Sequence, residues 1–279
     1  TSSSSPGISL MQEGISYIAG AELPCLIVNV VRGGPGLGTI QPSQADYFQA
    51  VKGGGHGDYR LIVLAPASVQ EMADFVDLGF ELAFKYRNPA MILSDGLIGQ
   101  MMEKVELPPQ KERVSEFDQS WVITGKHNGR ERNIITSLNL DPDLQYEHNL
   151  KLKAKYDSMQ QDVMFEKIAC DDADFLLVAY GSSARICQKV VEMARSRGKK
   201  VGLLRPQTLF PFPGEELARM ARRVKGMMAV ELSSGQMVED VKLAVNGRIP
   251  VYHYGMVGGK IHSPDDVLKA LEEKYIGGY

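Results

Sequence analysis

Three continuous apolar runs alternate with helix-patterned segments in the first third of the chain, and this alternation leaves few folds open. The runs are Leu23–Val31 (LPCLIVNVV), Leu61–Ala65 (LIVLA) and Pro89–Leu93, the last ending at Ser94-Asp95-Gly96. A strand covered by helices on both faces reads this way, whereas a half-exposed strand alternates. Between the runs lie Ile8–Ala19, with Ser and Pro at its capping positions, a short helix over Gln44–Val51, and an amphipathic segment from Ser68 to Tyr86. Ser68-Val-Gln-Glu71 matches a capping box, in which a hydroxyl and a carboxylate satisfy exposed helix amides. Strands alternating with helices imply a parallel α/β sheet with helices on both faces.

The pattern lapses near 103–173, a charged stretch containing Pro108-Pro109 and Asp141-Pro142, and reads there as a connector with a helix near His148–Phe165. It resumes at Asp174. Strands are expected over Phe175–Ala179, Val201–Leu204, Met227–Glu231 and Pro250–Tyr254. Helices are expected over Gly181–Arg197, Glu215–Arg223 and Gln236–Val245, and after Ser263-Pro264. The expected division is 1–105 for a first α/β unit, 106–173 for the connector and 174–279 for a second unit. The first unit is small for a doubly wound sheet and opens on what reads as a strand-end loop, so a polypeptide that begins earlier is expected.

The bulk chemistry narrows the function. The net charge of −3 offers no basic footprint for nucleic acid. Arg195, Arg197, Lys199 and Lys200 read as a solvated helix end. No apolar run reaches the roughly 18 residues of a membrane span. Cys25, Cys170 and Cys187 are far apart and form no C-x-x-C pair, so no iron–sulfur or zinc site of the usual spacing is expected, and a reducing cytoplasm fits. No GxGxxG follows a strand, and neither GxxxxGK[ST] nor GxSxG occurs.

Ligands of open α/β sheets bind beyond the carboxyl ends of the strands. Thr1–Gly7, Arg32–Thr39 and Ser94–Gly96 qualify in the first unit. In Val31-Arg-Gly-Gly-Pro-Gly-Leu-Gly-Thr39 the glycines let backbone approach a ligand, and Arg32 can grip a carboxylate with two parallel hydrogen bonds. A tight turn with a structural ion pair explains the same residues. Ser2–Ser5 can cradle an anion or cap a helix. His56, in Gly-His-Gly-Asp58, is a general acid, a substrate contact or a loop histidine without a role. Asp95 binds substrate or caps a turn. Gly181-Ser182-Ser183 binds phosphate or caps a helix, and Glu231–Gln236 serves an interface or a site.

The run TSSSSPGISLMQEGISYIAGAELPCLIVNVVRGGPGLG resembles alpha subunits of 2-oxoacid:ferredoxin oxidoreductases. The likeness continues through HGD, the LAPAS helix, SDG, YGS, RP…LFPFP and the E-x-x-x-GQ-M station, and covers the whole chain. Within that family, RGGPGLGTIQPSQADYFQA and ELPPQK look like the branched-chain group that acts on 3-methyl-2-oxobutanoate. The resemblance implies a thiamine-diphosphate-binding fold of pyrimidine type, truncated at its start, followed by a transketolase C-terminal-like α/β unit. It implies oxidative decarboxylation of a 2-oxoacid with coenzyme A, giving acyl-CoA, carbon dioxide and reduced ferredoxin. A beta subunit would hold thiamine diphosphate and Mg2+. Gamma and ferredoxin-like subunits would carry the iron–sulfur clusters, and a homodimer of this chain is compatible with the pattern. Arg32 matches the family arginine for the substrate carboxylate, and Gly33, Gly34 and Pro35 match the loop shaping that pocket. Leu37 stands where 2-oxoglutarate-type members have Thr, which favours a branched aliphatic tail. His56 goes with the substrate, and Ser5, Pro6 and Gly7 with the cofactor. Two departures qualify this. The family's Tyr-Pro-Ile-Thr-Pro motif and the glutamate for the cofactor's pyrimidine nitrogen have no counterpart in these residues, and Ser233 replaces the asparagine of E-x-N-x-GQ. The alternatives are 2-oxoglutarate or pyruvate as substrate, or a non-catalytic assembly module.

Overall fold

The computed structural model describes residues 1–107, 118–126, 129 and 131–277. Pro108-Pro109 of the expected connector lie outside the described residues. The first half runs β1 (Ser2–Ser3), α1 (Pro6–Gly20), β2 (Cys25–Val31), α2 (Tyr47–Val51), β3 (Ile62–Leu64), α3 (Val69–Tyr86) and β4 (Pro89–Asp95). Then come α4 (Pro142–Ser158), β5 (Phe165–Ile168), β6 (Phe175–Val178), α5 (Gly181–Ser196), β7 (Val201–Pro206) and β8 (Thr208–Phe210). The chain closes with α6 (Gly214–Met220), β9 (Gly226–Glu231), α7 (Met237–Val245), β10 (Val251–Gly255) and α8 (Pro264–Gly277).

Among the described residues two five-stranded sheets result, ordered β1-β2-β4-β3-β8 and β10-β9-β6-β7-β5. All neighbours are parallel except β8 on β3 and β5 on β7, so each sheet ends in one antiparallel edge strand. Every residue of β4 is buried, because the strand has β2 and β3 on its edges and helices on its faces. The apolar runs therefore form the strands that their composition requires.

Four differences from the sequence reading have physical causes. Helix α4 begins at Asp141-Pro142, where Asp141 accepts from the Asp143 amide at 2.9 Å and Pro142 fills the first helical position. The pair starts a helix rather than breaking a connector, and the helix ends at Ser158, not Phe165. Phe165–Ile168, placed in the connector, is an edge strand of the second sheet. Thr208–Phe210, placed in the second unit, is an edge strand of the first. Finally, Ser5 does not cap α1. Its backbone sits at φ 54°, ψ −127°, its side chain makes no capping bond, and its hydroxyl turns to Arg32 instead.

Helix α3 keeps its capping signature with a change of partner. The Glu71 amide donates to Ser68 Oγ at 3.1 Å, while Glu71 Oε2 accepts from the Ala67 amide at 2.7 Å. That carboxylate also receives both terminal nitrogens of Arg205, at 2.7 and 2.9 Å, from strand β7. Gln44 makes a second tie between the halves. Its Nε2 donates to the Tyr180 carbonyl, and its Oε1 accepts from Ser183 Oγ and the Leu232 amide, all at 2.9 Å. Tyr47 donates to Asp240 Oδ2 at 2.6 Å. One apolar cluster runs unbroken from Ile8 in α1 to Val245 in α7, so the two sheets share a core.

Candidate active site

Register fixes the site. Val31 pairs with Asp95, so Arg32 and Gly96 leave the sheet side by side at its carboxyl edge. The Gly96 amide donates back to the Val31 carbonyl at 3.0 Å. The amino-terminal Ser2–Ser3 strand lies against β2 on the other side. A cleft of about 540 Å³ opens between these strand ends. Val30, Gly96 and Gly99 line it with carbon, Ser2, Ser3, Ser4 and Gln100 with polar groups, and Arg32 and Ile40 complete it.

Arg32 is half-buried. Its Nε donates to Ser5 Oγ at 2.8 Å, which ties the guanidinium to the start of α1. Among the described residues no carboxylate pairs with it, and its two terminal nitrogens have no protein acceptor. The structural ion pair allowed by the sequence is therefore not formed there. A half-buried cation with a free fork suits an incoming carboxylate.

The loop that carries Arg32 is built by two glycines. A Cβ on Gly38, at φ +57°, would lie 1.8 Å from the Gly33 carbonyl oxygen. A Cβ on Gly33 would lie 2.7 Å from Thr39 Cγ2. The close approach lets the Thr39 amide donate to the Gly33 carbonyl at 2.8 Å, and the Gly33 amide to the Gln41 carbonyl at 2.9 Å. Gly34 is not demanded in this way, since the nearest atom to an added Cβ is Gly36 N at 3.9 Å. Leu37 sits at the loop tip, 78% exposed.

Two family profiles match the chain. One is described as pyruvate flavodoxin/ferredoxin oxidoreductase, thiamine diphosphate-binding, over residues 1–167. The other is the pyruvate:ferredoxin oxidoreductase core domain II, over residues 173–267. The chain belongs to the pyruvate flavodoxin/ferredoxin oxidoreductase family. Ketoisovalerate oxidoreductase subunit VorB of Methanothermobacter marburgensis is 50% identical over 98% of this chain and 77% of its own length. 2-Oxoglutarate synthase subunit KorA of Archaeoglobus fulgidus is 36% identical over 98% of this chain and 78% of its own. Among solved structures, 2-oxoglutarate:ferredoxin oxidoreductase from Magnetococcus marinus superposes with a TM-score of 0.78 at 24% identity. It covers 98% of this chain, which spans about half, 52%, of that one. A split-gene transketolase superposes at 0.56 with 15% identity, over 98% of this chain and 74% of its own. Both superpositions speak to the fold.

Arg32 thus stands at the carboxyl end of β2, beside Gly96, but the other expected residues scatter. Ser5 touches Arg32, whereas Pro6 and Gly7 serve the helix start. Pro6 takes its first position, and a Cβ on Gly7 would lie 2.2 Å from Ser3 Oγ. His56 is exposed and lines a separate cleft of about 420 Å³, together with Tyr17, Asn139 and His148. The structure does not bring it to Arg32. Asp95 is buried and structural. Its Oδ1 accepts from the Leu97 and Ile98 amides, and its Oδ2 from the Ser182 amide at 3.2 Å. Burial raises its pKa, and those hydrogen bonds oppose the rise. Gly181-Ser182-Ser183 is buried against Gln44 and Asp95, so no anion reaches it. Glu231 closes the start of α7, accepting from the Gln236, Met237 and Val238 amides and from Ser233 Oγ. Ser233 thus braces a buried carboxylate. Gln44 escaped the sequence reading, because a glutamine in a polar loop carries no pattern.

Proposed function

We propose that the cleft binds the carboxylate of a 2-oxoacid through Arg32, in a complex that oxidatively decarboxylates 3-methyl-2-oxobutanoate with coenzyme A and passes electrons to ferredoxin. The observation that carries this reading is the half-buried guanidinium with no carboxylate of its own among the described residues, at the sheet edge of a thiamine-diphosphate-binding family region. The 50% identical relative named for ketoisovalerate favours the branched acid.

The lining suits the aminopyrimidine side of thiamine diphosphate. Val30, Gly96 and Gly99 offer carbon, and Ser2–Ser4 and Gln100 offer hydrogen bonds. The lining has no carboxylate for a metal, and no group of three His, Cys, Asp or Glu side chains gathers among the described residues. The diphosphate and Mg2+ are therefore assigned to a beta subunit. When bound, the cofactor supplies the nucleophilic carbon and the electron sink. This chain's part is to hold the oxoacid by its carboxylate, and to keep that grip through the Ser5 hydroxyl. Leu37, Ile40, Met102 and Val257 are exposed apolar side chains on the cleft loops and on the adjoining turn, and suit a covering partner. Iron–sulfur clusters fall to gamma and ferredoxin-like subunits, since Cys25, Cys170 and Cys187 are separate free thiols. No helix among the described residues is long and apolar enough to cross a membrane, and the reading places the complex in the cytoplasm.

The test uses the intact complex purified with its neighbouring subunits. Viologen reduction dependent on coenzyme A and thiamine diphosphate is followed with 3-methyl-2-oxobutanoate, 2-oxoglutarate and pyruvate. The branched acid is expected to give the highest kcat/KM. If no oxoacid is oxidised, the reading fails. Leu37→Thr tests the choice of tail. With Leu37 packed under the partner, the exchange should shift the ratio of branched acid to 2-oxoglutarate turnover by roughly tenfold, the worth of about one apolar contact. An unchanged ratio removes Leu37 from the specificity pocket.

A further inference from the structure

The second half of the chain reaches the arginine loop through one turn. Strand β10 ends at Gly255, and the chain passes through Met256–His262 before α8. Both ends of this turn are pinned to one atom. The Met256 amide donates to the Glu231 carbonyl at 3.2 Å, and His262 Nε2 meets the same oxygen at 3.1 Å. His262 is buried, and burial lowers its pKa to about 4, so the ring is neutral near pH 7 with its proton on Nε2. Glu231 is held in turn by its bonds to the start of α7.

The tip of the turn rests on the root of the Arg32 loop. A Cβ on Gly259 would lie 2.4 Å from Gln41 Cβ and 2.9 Å from Thr39 Cγ2. A Cβ on Gly33, the residue after Arg32, would lie 3.2 Å from Gly259 N and 3.4 Å from the Gly258 carbonyl carbon. The turn therefore touches both legs of the loop, at the point where Gly33 and Gln41 bond to each other. Gln41 Cβ is next to backbone and cannot swing away. Gly258 differs. It has a similar positive φ, +66° against +86°, yet a Cβ there would meet nothing within 4 Å.

We propose that Gly259 is a positioning residue for the 2-oxoacid site: packed on Gln41 and Thr39, it buttresses the loop that aims Arg32. This rests on the reading of the Arg32 cleft given above. Gly259→Ala pushes Gln41 and Thr39 outward and turns the fork off its line. Gly258→Ala adds backbone strain without contact and serves as the matched control.

Both variants, with Arg32→Lys alongside, are measured in the assembled complex with 3-methyl-2-oxobutanoate. Gly259→Ala is expected to raise KM about tenfold with kcat within about threefold, as a misplaced binding group does. Gly258→Ala should keep the wild-type KM. Amide hydrogen exchange at Gly33 and Thr39 should quicken in Gly259→Ala and not in Gly258→Ala. Equal effects of the two alanines, or none from either, overturn the buttress while leaving the cleft reading intact, provided Arg32→Lys raises KM. If Arg32→Lys leaves KM unchanged, the cleft reading fails and the buttress with it. Should Gly259→Ala not assemble, Thr39→Ser decides. It deletes the methyl shared by Gly33 and Gly259, and a KM rise of about threefold supports the buttress while no change overturns it.

Discussion

Exchanging Arg32 for lysine in the intact complex is expected to lower kcat/KM for the oxoacid by about two orders of magnitude, and exchange for alanine by about three. Lysine keeps the charge but offers a point donor where the fork gives two parallel bonds. Alanine removes both and leaves the substrate carboxylate desolvated without a partner. Folding should be little affected. The side-chain bond that Arg32 loses within the chain is the 2.8 Å contact to Ser5 Oγ. The decisive comparison is therefore steady-state kinetics against a urea midpoint. A large kinetic loss at unchanged midpoint locates the substrate carboxylate at Arg32, and unchanged kinetics would send it elsewhere.

Glu71→Ala should act the opposite way, on stability. Arg205 is 8% exposed, and its fork lies on Glu71 at 2.7 and 2.9 Å. Removing one partner of a buried pair strands the other charge and costs about 3–5 kcal/mol. Glu166, bonded to Arg205 Nε at 2.8 Å, stays in place and keeps the loss near the lower end. The urea midpoint should fall accordingly. The pH dependence follows from the same geometry. Burial alone would raise the Glu71 pKa, but the Arg205 fork, the Ala67 amide and Gln207 outweigh it, and the net shift is downward. A carboxylate lowered in the folded state stabilises fully above its unfolded value, about 4.3, and loses that contribution as pH falls through the folded one. The gap in urea midpoint between wild type and Glu71→Ala should be constant near neutrality and shrink below about pH 4. A gap that is flat down to acid denaturation would remove Glu71 as its source.

Strands β2 and β4 were legible because burial on both faces leaves a continuous apolar run. The start of α3 was legible because its cap is local, within four residues. Strand β8 was not. Its three residues precede Pro211 and Pro213, and its reason for being extended is a tertiary partner, β3. The same holds for Phe165–Ile168, whose middle residues Glu166 and Lys167 are exposed, as suits an edge. At the site, the chain pattern located Arg32 at a strand end. It did not say whether a carboxylate waited there, since that depends on residues far away in sequence. That His56 borders a different cleft from Arg32 was hidden for a related reason: a loop histidine carries no record of which cleft its loop borders.

Strands β5 and β8 also decide how the chain can be divided. Residues 165–168 complete the second sheet, yet residues 208–210, further along, complete the first. Between them β7 belongs to the second sheet, and Gln207 alone separates it from β8. The two halves are interlaced, like a stitch passed through two cloths. No single cut yields two whole sheets: one before Phe165 strips β3 of its edge partner, and one after Phe210 carries β5, β6 and β7 away from β9. Chimaeras joined at the apparent boundary between the halves would therefore pair β3 of one parent with β8 of the other.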